Sequence, residues 1–205
     1  NGYDTEDIPE YLGDSTSSSG TFGLRYRTAC IASDGRMYAG NLKYNGESHP
    51  SKMVFSEVGR PGVLPVDFEH TIEIAGSGSP IVHLEVAGDT LFQFRNDSVL
   101  VLNTSTDSVV VENIYYHFGG IADAHQVCSI PNGVAFANNL GIFVYTRGEF
   151  KNIISEKMGD QLSSYMSALP SIGYHSLTKD LVYLKSVGTS GDEASSTGLK
   201  YNFKT

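Results

Sequence analysis

One phrase returns along this chain and limits what it can fold into. A short polar turn leads into an apolar run, and an aromatic stands three residues after the turn's last residue. The turns are Ser33-Asp34-Gly35, Ala87-Gly88-Asp89, Pro131-Asn132-Gly133 and Thr178-Lys179-Asp180, and the aromatics are Tyr38, Phe92, Phe136 and Tyr183. Three residues before each mark stand Ala32, Val86, Ile130 and Leu177. The marks recur after about 54, 44 and 47 residues. That spacing, with several strands per unit, is the signature of propeller blades. Strands of a β-sandwich also follow in series, but its turns need not share one aromatic offset.

Each unit continues in kind. A second turn, Asn96-Asp97 or Asn138-Asn139, precedes "SVLVLN" or "GIFVYT". Fourth strands are expected in "HTIEIAG", "SVVVENIYY" and "EFKNIIS". The expected fold is therefore all-β: β-propeller-like blades of four antiparallel strands, at least four repeats, in an incomplete propeller. Repeats fill 21–205, with units near 24–76, 81–116, 125–158 and 171–205. Residues 1–20, polar and ending in "DSTSSSG", read as an irregular N-terminal arm or linker. At one hairpin the connection lengthens, to Lys43–Lys52 in the first unit and Gly188–Thr197 in the fourth. Such insertions on a blade edge are where contacts with partners are usually placed. Ser155–Leu169 breaks the rhythm: Met158, Leu162, Tyr165, Met166 and Leu169 would share one face of a short packing helix ended by Pro170.

Composition suits strands and tight turns. Of 205 residues, 22 are Gly, 12 Tyr and 10 Phe, with no Trp. At 40% hydrophobic and 18% charged, the chain can bury a core. The net charge of −9 argues against wrapping nucleic acid, which needs a basic surface. It is compatible with a surface past which DNA slides without sticking. No apolar stretch approaches the length of a membrane helix, and the acidic start does not read as a signal peptide.

Chemistry-bearing patterns are sparse. The six histidines, His49, His70, His83, His117, His125 and His175, form no close ligand pair. His117, Asp123 and His125 flank the Gly-rich "FGGIADAH" and read as a turn with solvated side chains. Cys30 and Cys128 read as buried thiols. The acidic arm lacks calcium-loop spacing. "GSGSP" fits neither a nucleophile elbow nor a phosphate loop. Asn96-Asp97-Ser98 and Asn103-Thr104-Ser105 match the N-glycosylation acceptor but sit where hairpin turns want Asn. The expectation is a protein that is not an enzyme, with no catalytic, cofactor-binding or metal-binding residues and no cofactor.

The stretch "KMVFSEVGRPGVLPVDFEHTIEIAGSGSPIVHLEVAGDTLFQFRNDSVLVLN" resembles a segment of tail structural proteins of tailed bacteriophages. The features are Phe55-Ser56, the Gly59-Arg60-Pro61 turn, Ile72 to Ile74, and the Leu91 to Phe94 hairpin strand. "HQVCSIPNGVAFANNLGIFVYTRGEFKNIISEKMGD", "YHSLTKDLVYLKS" and "LKYNFKT" are similar to the blades that follow. The likeness spans roughly 25–205. It implies a virion structural protein, part of a tail nozzle or tubular section below the portal. It further implies a homo-oligomeric ring, contacts with neighbouring tail or portal-adaptor proteins, and DNA passing a channel without specific binding. A different class, a glycan-binding or glycan-cleaving β-propeller, would need aromatic platforms or acids converging on one face. The four repeated aromatics read instead as core between blades. A WD-type scaffold lacks its Trp signature here.

Overall fold

The computed structural model describes residues 24–44, 46–65, 70–74, 78–105, 109–155, 166, 169–185 and 198–203. The N-terminal arm, most of the expected helix at Ser155–Leu169 and the Gly188–Thr197 connection lie outside them. The fold is all-β. Sheet 1 is β1 (Arg25–Ile31), β2 (Met37–Tyr44), β3 (Glu47–Phe55) and β4 (Thr71–Glu73). Sheet 2 is β5 (Ile81–Ala87), β6 (Thr90–Arg95), β7 (Val99–Asn103) and β8 (Val110–Tyr115). Sheet 3 is β9 (Val127–Ile130), β10 (Gly133–Asn138), β11 (Gly141–Thr146) and β12 (Glu149–Asn152). Among the described residues sheet 4 has three strands, β13 (Ser171–His175), β14 (Asp180–Leu184) and β15 (Gly198–Asn202). Each sheet is a meander of neighbours in chain order, and the sheets do not close on themselves. Helical structure among the described residues is slight, with a 3-10 turn at Ala124–Gln126. None of their helices is long and apolar enough to cross a membrane.

The chain divides into two compact units, Asn1–Asn96 with Leu100–Asn113, and Asp97–Val99 with Ile114–Thr205. In the first, sheets 1 and 2 pack face to face. Tyr38, Met53 and Phe55 meet Ile81, Leu84, Leu91 and Leu102. In the second, Ala135, Ala137, Ile142 and Val144 of sheet 3 meet Ile172, Leu181 and Tyr183 of sheet 4, with Met166 and Ile154 at the margin. Side chains alternate across a strand, so each sheet has two faces to satisfy. The other face of sheet 1 carries Ala39, Leu42 and Val54, and Leu64 from the loop after β3 covers it.

A repeated joint marks the blade-like units. The first N–H beyond the third strand donates to a carbonyl at the start of the second. The pairs are Ser56 N to Met37 O at 2.9 Å, Thr104 N to Asp89 O at 2.9 Å and Phe203 N to Lys179 O at 3.0 Å. Ser56 and Thr104 reinforce it: Ser56 Oγ accepts from Met37 N, and Thr104 Oγ1 donates to Asp89 O, both at 2.9 Å. The Ser of the Phe-Ser phrase is thus a strand-end tie, fully buried.

Strand pairing corrects the aromatic offset. Tyr38, Phe92, Phe136 and Tyr183 are all buried, but they do not occupy one repeated position. Ala87 pairs with Thr90 and Ile130 with Gly133, each across a two-residue loop. Thr90 and Gly133 therefore correspond, and Phe136 matches Gln93 rather than Phe92. A slip of one residue turns a side chain to the opposite face of its sheet. Tyr38 and Tyr183 accordingly point into the cores between the paired sheets, while Phe92 and Phe136 occupy the faces turned away from them. Leu177, the residue three before the fourth turn mark, is 83% exposed. It lies in the four-residue connection between His175 and Asp180 rather than in a strand.

Candidate functional site

The connection Lys43–Lys52 is not a loop. Pairing of β2 with β3 runs out to Leu42↔His49, Lys43↔Ser48 and Tyr44↔Glu47, making one long hairpin. Only two residues, Asn45-Gly46, separate the strands, the sequence most favoured for a tight hairpin turn. Gly46 takes φ +79, the left-handed conformation that glycine accepts without penalty. What suggested a loop was the polar, Gly- and Ser-bearing composition; the stretch also holds Pro50, which cannot donate to a ladder. The register shifts between Gly40 and Leu42, and Pro50 lies opposite that irregularity, where proline is tolerated. Asn41 bends the facing strand at φ 60 and donates from Nδ2 to Ile81 O at 2.9 Å, anchoring the hairpin's base. Towards the tip, Tyr44 and His49 stack at 4.3 Å, and His49 Nε2 lies 3.9 Å from Glu47. The result is an arm with an apolar, hydrogen-bonded base and a polar tip.

The histidine cluster separates. Asp123 caps the 3-10 turn, accepting from His125 N at 3.4 Å and meeting His125 Nδ1 at 3.0 Å. Its slight desolvation, which raises the pKa, is outweighed by those hydrogen bonds, which lower it. His117 packs on Phe118 at 3.8 Å and near Tyr115 at 5.9 Å. Two buried amides hold this segment. Gln126 accepts from Ala122 N and Asp123 N at 2.7 and 3.0 Å and donates to Ala137 O at 2.9 Å. Asn138 Nδ2 donates to Phe118 O and Gly120 O, both at 2.9 Å, and Asn138 Oδ1 accepts from Leu140 N at 2.8 Å. Phe118 is thereby set 4.8 Å from Phe143, whose ring stacks on Phe136 at the same distance.

The other sequence candidates also have local roles. Asn103 accepts from Ser105 N and donates to Glu112, each at 2.8 Å. Cys30 and Cys128 are half-buried thiols outside any disulfide, and burial, aided by the charge of Glu85, pushes Cys30 up to about 12. Its nucleophilic thiolate is therefore scarce at neutral pH. Among the described residues no three His, Cys, Asp or Glu side chains gather where a metal ion could sit.

Two features of the second unit were not anticipated. One is an open cavity of about 270 Å³ lined by Ile130, Pro131, Thr146, Tyr174, Lys179 and Phe203. Its aromatic wall, Tyr174 against Phe203 at 5.9 Å, joins residues far apart in sequence, so no spacing rule could find it. The other is Asp180, a buried acid at the start of β14. Lys200 Nζ lies 2.7 Å from it and Asn202 Nδ2 donates at 2.6 Å. Hydrogen bonds from Lys200, Thr178 and Asn202 bring its carboxyl down to about 2. The acid locks β14 to β15, and its place inside the fourth repeated turn disguised it as a solvated turn residue. No protein-family model matches the chain, and no curated protein sequence matches it.

Proposed function

We propose that this chain is a structural component of a bacteriophage tail, part of a nozzle or tubular section below the portal. It acts through contacts with like subunits and neighbouring tail proteins in an assembly through which DNA passes. The observation that carries the reading is the coincidence of the tail-like phrase with joints of the fold. Ser56 of Phe55-Ser56 ties β3 to β2, and Gly59 turns the chain at φ +70. Ile72 packs on the core beside Met53, and Leu91 packs within the same core. The features that support the resemblance are architectural, as a subunit valued for its shape requires. Repeated sheets supply a rigid body, and an arm such as the β2–β3 hairpin supplies contact area.

The test is electron microscopy and sedimentation of the purified protein, alone and with its genomic neighbours. Ring-shaped assemblies are expected. A monomer under every condition, with binding or cleavage of a polysaccharide, would overturn the reading in favour of the glycan class. The repeated rings Tyr38, Phe92, Phe136 and Tyr183 are buried and present no stacking platform. The glycan class therefore rests on the Tyr174–Phe203 cavity, and Tyr174→Ala is the variant that would abolish such binding.

A further inference from the structure

We propose that the cavity at the turn ends of sheets 3 and 4 binds a small aromatic carboxylate, a single ring carrying a short acidic branch. The repeated joint of the fold is where the argument starts. In sheets 1 and 2 the donating residue is Ser56 or Thr104, whose hydroxyl reinforces the tie, and the accepting residue is Met37 or Asp89. In sheet 4 the donor is Phe203 and the acceptor is Lys179. Phe203 has no hydroxyl to add to the tie, and the joint needs no cation at the accepting position. Sheet 4 departs from the repeat at both places, and both side chains line the cavity.

The walls define the rest of the ligand. Ile130 is buried in the core of the unit, Tyr174 packs against that core, and Pro131 extends the apolar surface. Phe203 is held edge to face by Tyr174 at 5.9 Å and by Tyr201 at 5.2 Å, yet stays 37% exposed. A ring fixed in this way and open on one side offers a further aromatic contact to a third ring. The volume of about 270 Å³ sets the size. A cavity of about 150 Å³ takes benzene, so the space admits one ring with a short branch. Polar groups set the charge. Thr146 supplies one hydroxyl and Lys179 one ammonium, and no carboxylate or carboxamide stands among the described residues that line the cavity. A sugar would bring many hydroxyls to a wall with few partners for them, each at a cost in lost hydration. An acid brings one charge. Lys179 makes no ion pair among the described residues. Its backbone, at φ 60, is tied to Phe203 at 3.0 Å, and Asn202 Nδ2 holds the neighbouring Thr178 O at 3.2 Å. Cation and aromatic wall are therefore fixed relative to each other before a ligand arrives, which lowers the cost of binding.

The probe is phenylacetate, titrated into the full chain, with the amide resonances of Ile130, Thr146 and Lys179 as reporters. Saturable shifts are expected with a Kd of about 1 mM, the scale for about ten heavy atoms. Phenylacetamide, the neutral analogue, binds about fivefold more weakly, the upper range for an exposed ion pair. Lys179→Gln lowers phenylacetate to the level of the amide and leaves the amide unchanged, a pattern that a purely structural lysine would not give. Phe203→Ala weakens both by about tenfold, as loss of an aromatic anchor does. N-acetylphenylalanine carries the same chemistry in the form of a chain terminus. Tighter binding of that compound assigns the site to the end of a polypeptide, weaker binding to a free acid, and either supports the proposal. Absence of saturable shifts, equal affinity for acid and amide, or an equal loss of both in Lys179→Gln would each overturn it. Preference for methyl glucoside would overturn it in favour of the glycan class. Binding is read on the isolated chain and does not depend on ring formation, so this proposal and the virion reading stand or fall separately.

Discussion

The two units solve one packing problem in different ways. In the first, large side chains come from both sheets. Tyr38, Met53 and Phe55 interleave with Ile81, Leu84 and Leu91, and Gly40 leaves the space that Ile81 and Leu84 enter. A Cβ at Gly40 would stand only 3.1 Å from Ile81 and 3.2 Å from Leu84. In the second unit the sizes are sorted. On β10 sheet 3 offers only Ala135 and Ala137 beside Ile142 and Val144 of β11, and sheet 4 fills the space with Ile172, Leu181 and Tyr183. Both obey the requirement that facing layers interdigitate at interior density. The sorted version leaves the far face of sheet 3 to carry the bulk, where Phe136, Phe143, Phe150 and Phe118 form an aromatic cluster. The same backbone repeat thus tolerates opposite distributions of side-chain volume, provided each pair of faces adds up.

The sharpest test of that sorting is removal of the aromatic that dominates sheet 3. Phe136→Ala deletes a fully buried ring lying 4.8 Å from Phe143 and 5.3 Å from Phe150. Chemical denaturation should show a loss of about 3–5 kcal/mol, the usual range for a core phenylalanine. A loss under about 1 kcal/mol, far below that range, would mean that the cluster is not the structural centre of its face.

The next test adds volume instead of removing it. Ala135→Leu adds volume on the face of sheet 3 already filled by sheet 4, and overpacking of this kind costs about 1–3 kcal/mol. Leu91→Met in the first unit conserves volume and should cost less than about 1.5 kcal/mol. If the alanine position accepted leucine without loss, sheets 3 and 4 would not be closely packed, and the contrast between the units would fail.

The sheets were largely legible in the sequence, because turn residues and apolar alternation are local signals. Gly-Asp and Pro-Asn pairs announced hairpins, and strands such as "GVAFAN" and "GIFVYT" could hardly be anything else. Which face each aromatic takes was not legible. The offset was counted from the last residue of each turn motif, yet Gly133 and Asp180 already belong to their strands while Asp89 does not. That single residue decides between core and far face, and only the pairing partner reveals it. The long hairpin was misread for a related reason. Pro50 and the polar residues around it carry a loop composition, but a strand can absorb a proline at a bulge. The cavity beside Tyr174 and the lock at Asp180 depend on contacts made across the connection between β14 and β15, where sequence offers no register.

A smaller effect probes the edge of sheet 4 through pH. The carboxyl of Asp180 is held at about 2, below its ordinary 3.8, first by Lys200 and then by Thr178 and Asn202. A group whose pKa is lower in the folded state stabilises that state above its unfolded pKa, and the contribution disappears as pH falls through the folded one. Wild type should therefore exceed Asp180→Asn in melting temperature at pH 6, with the gap closing between about pH 4 and pH 2. A gap for Asp180 that did not change with pH would assign its role to shape rather than charge.

The smallest effect on stability is expected at the tip of the β2–β3 arm, and there the interest lies in what else changes. The arm is stabilised at its base, where Leu42 is buried and Asn41 holds Ile81 O. Beyond Leu42↔His49, Arg25 of β1 still pairs with Lys43, and only Tyr44↔Glu47 runs on as a two-stranded tip. Two strands with no third beside them contribute little stability of their own. Closing the hairpin earlier, by deleting residues 44 and 47 so that Lys43 and Ser48 flank Asn45-Gly46, keeps the favoured turn and the pairing of β2 with β1 and β3. It removes the Tyr44 ring from its stack on His49. Denaturation should register a change within about 1 kcal/mol, since shortening a connection alters closure entropy only slightly. Assembly is the second readout. An arm present only for contacts loses particle incorporation or ring formation while the melting curve stays in place. Normal assembly by the folded, trimmed protein would remove the arm from the contact surface. A large loss of stability would show instead that the ribbon belongs to the core of the first unit, erasing the distinction between base and tip.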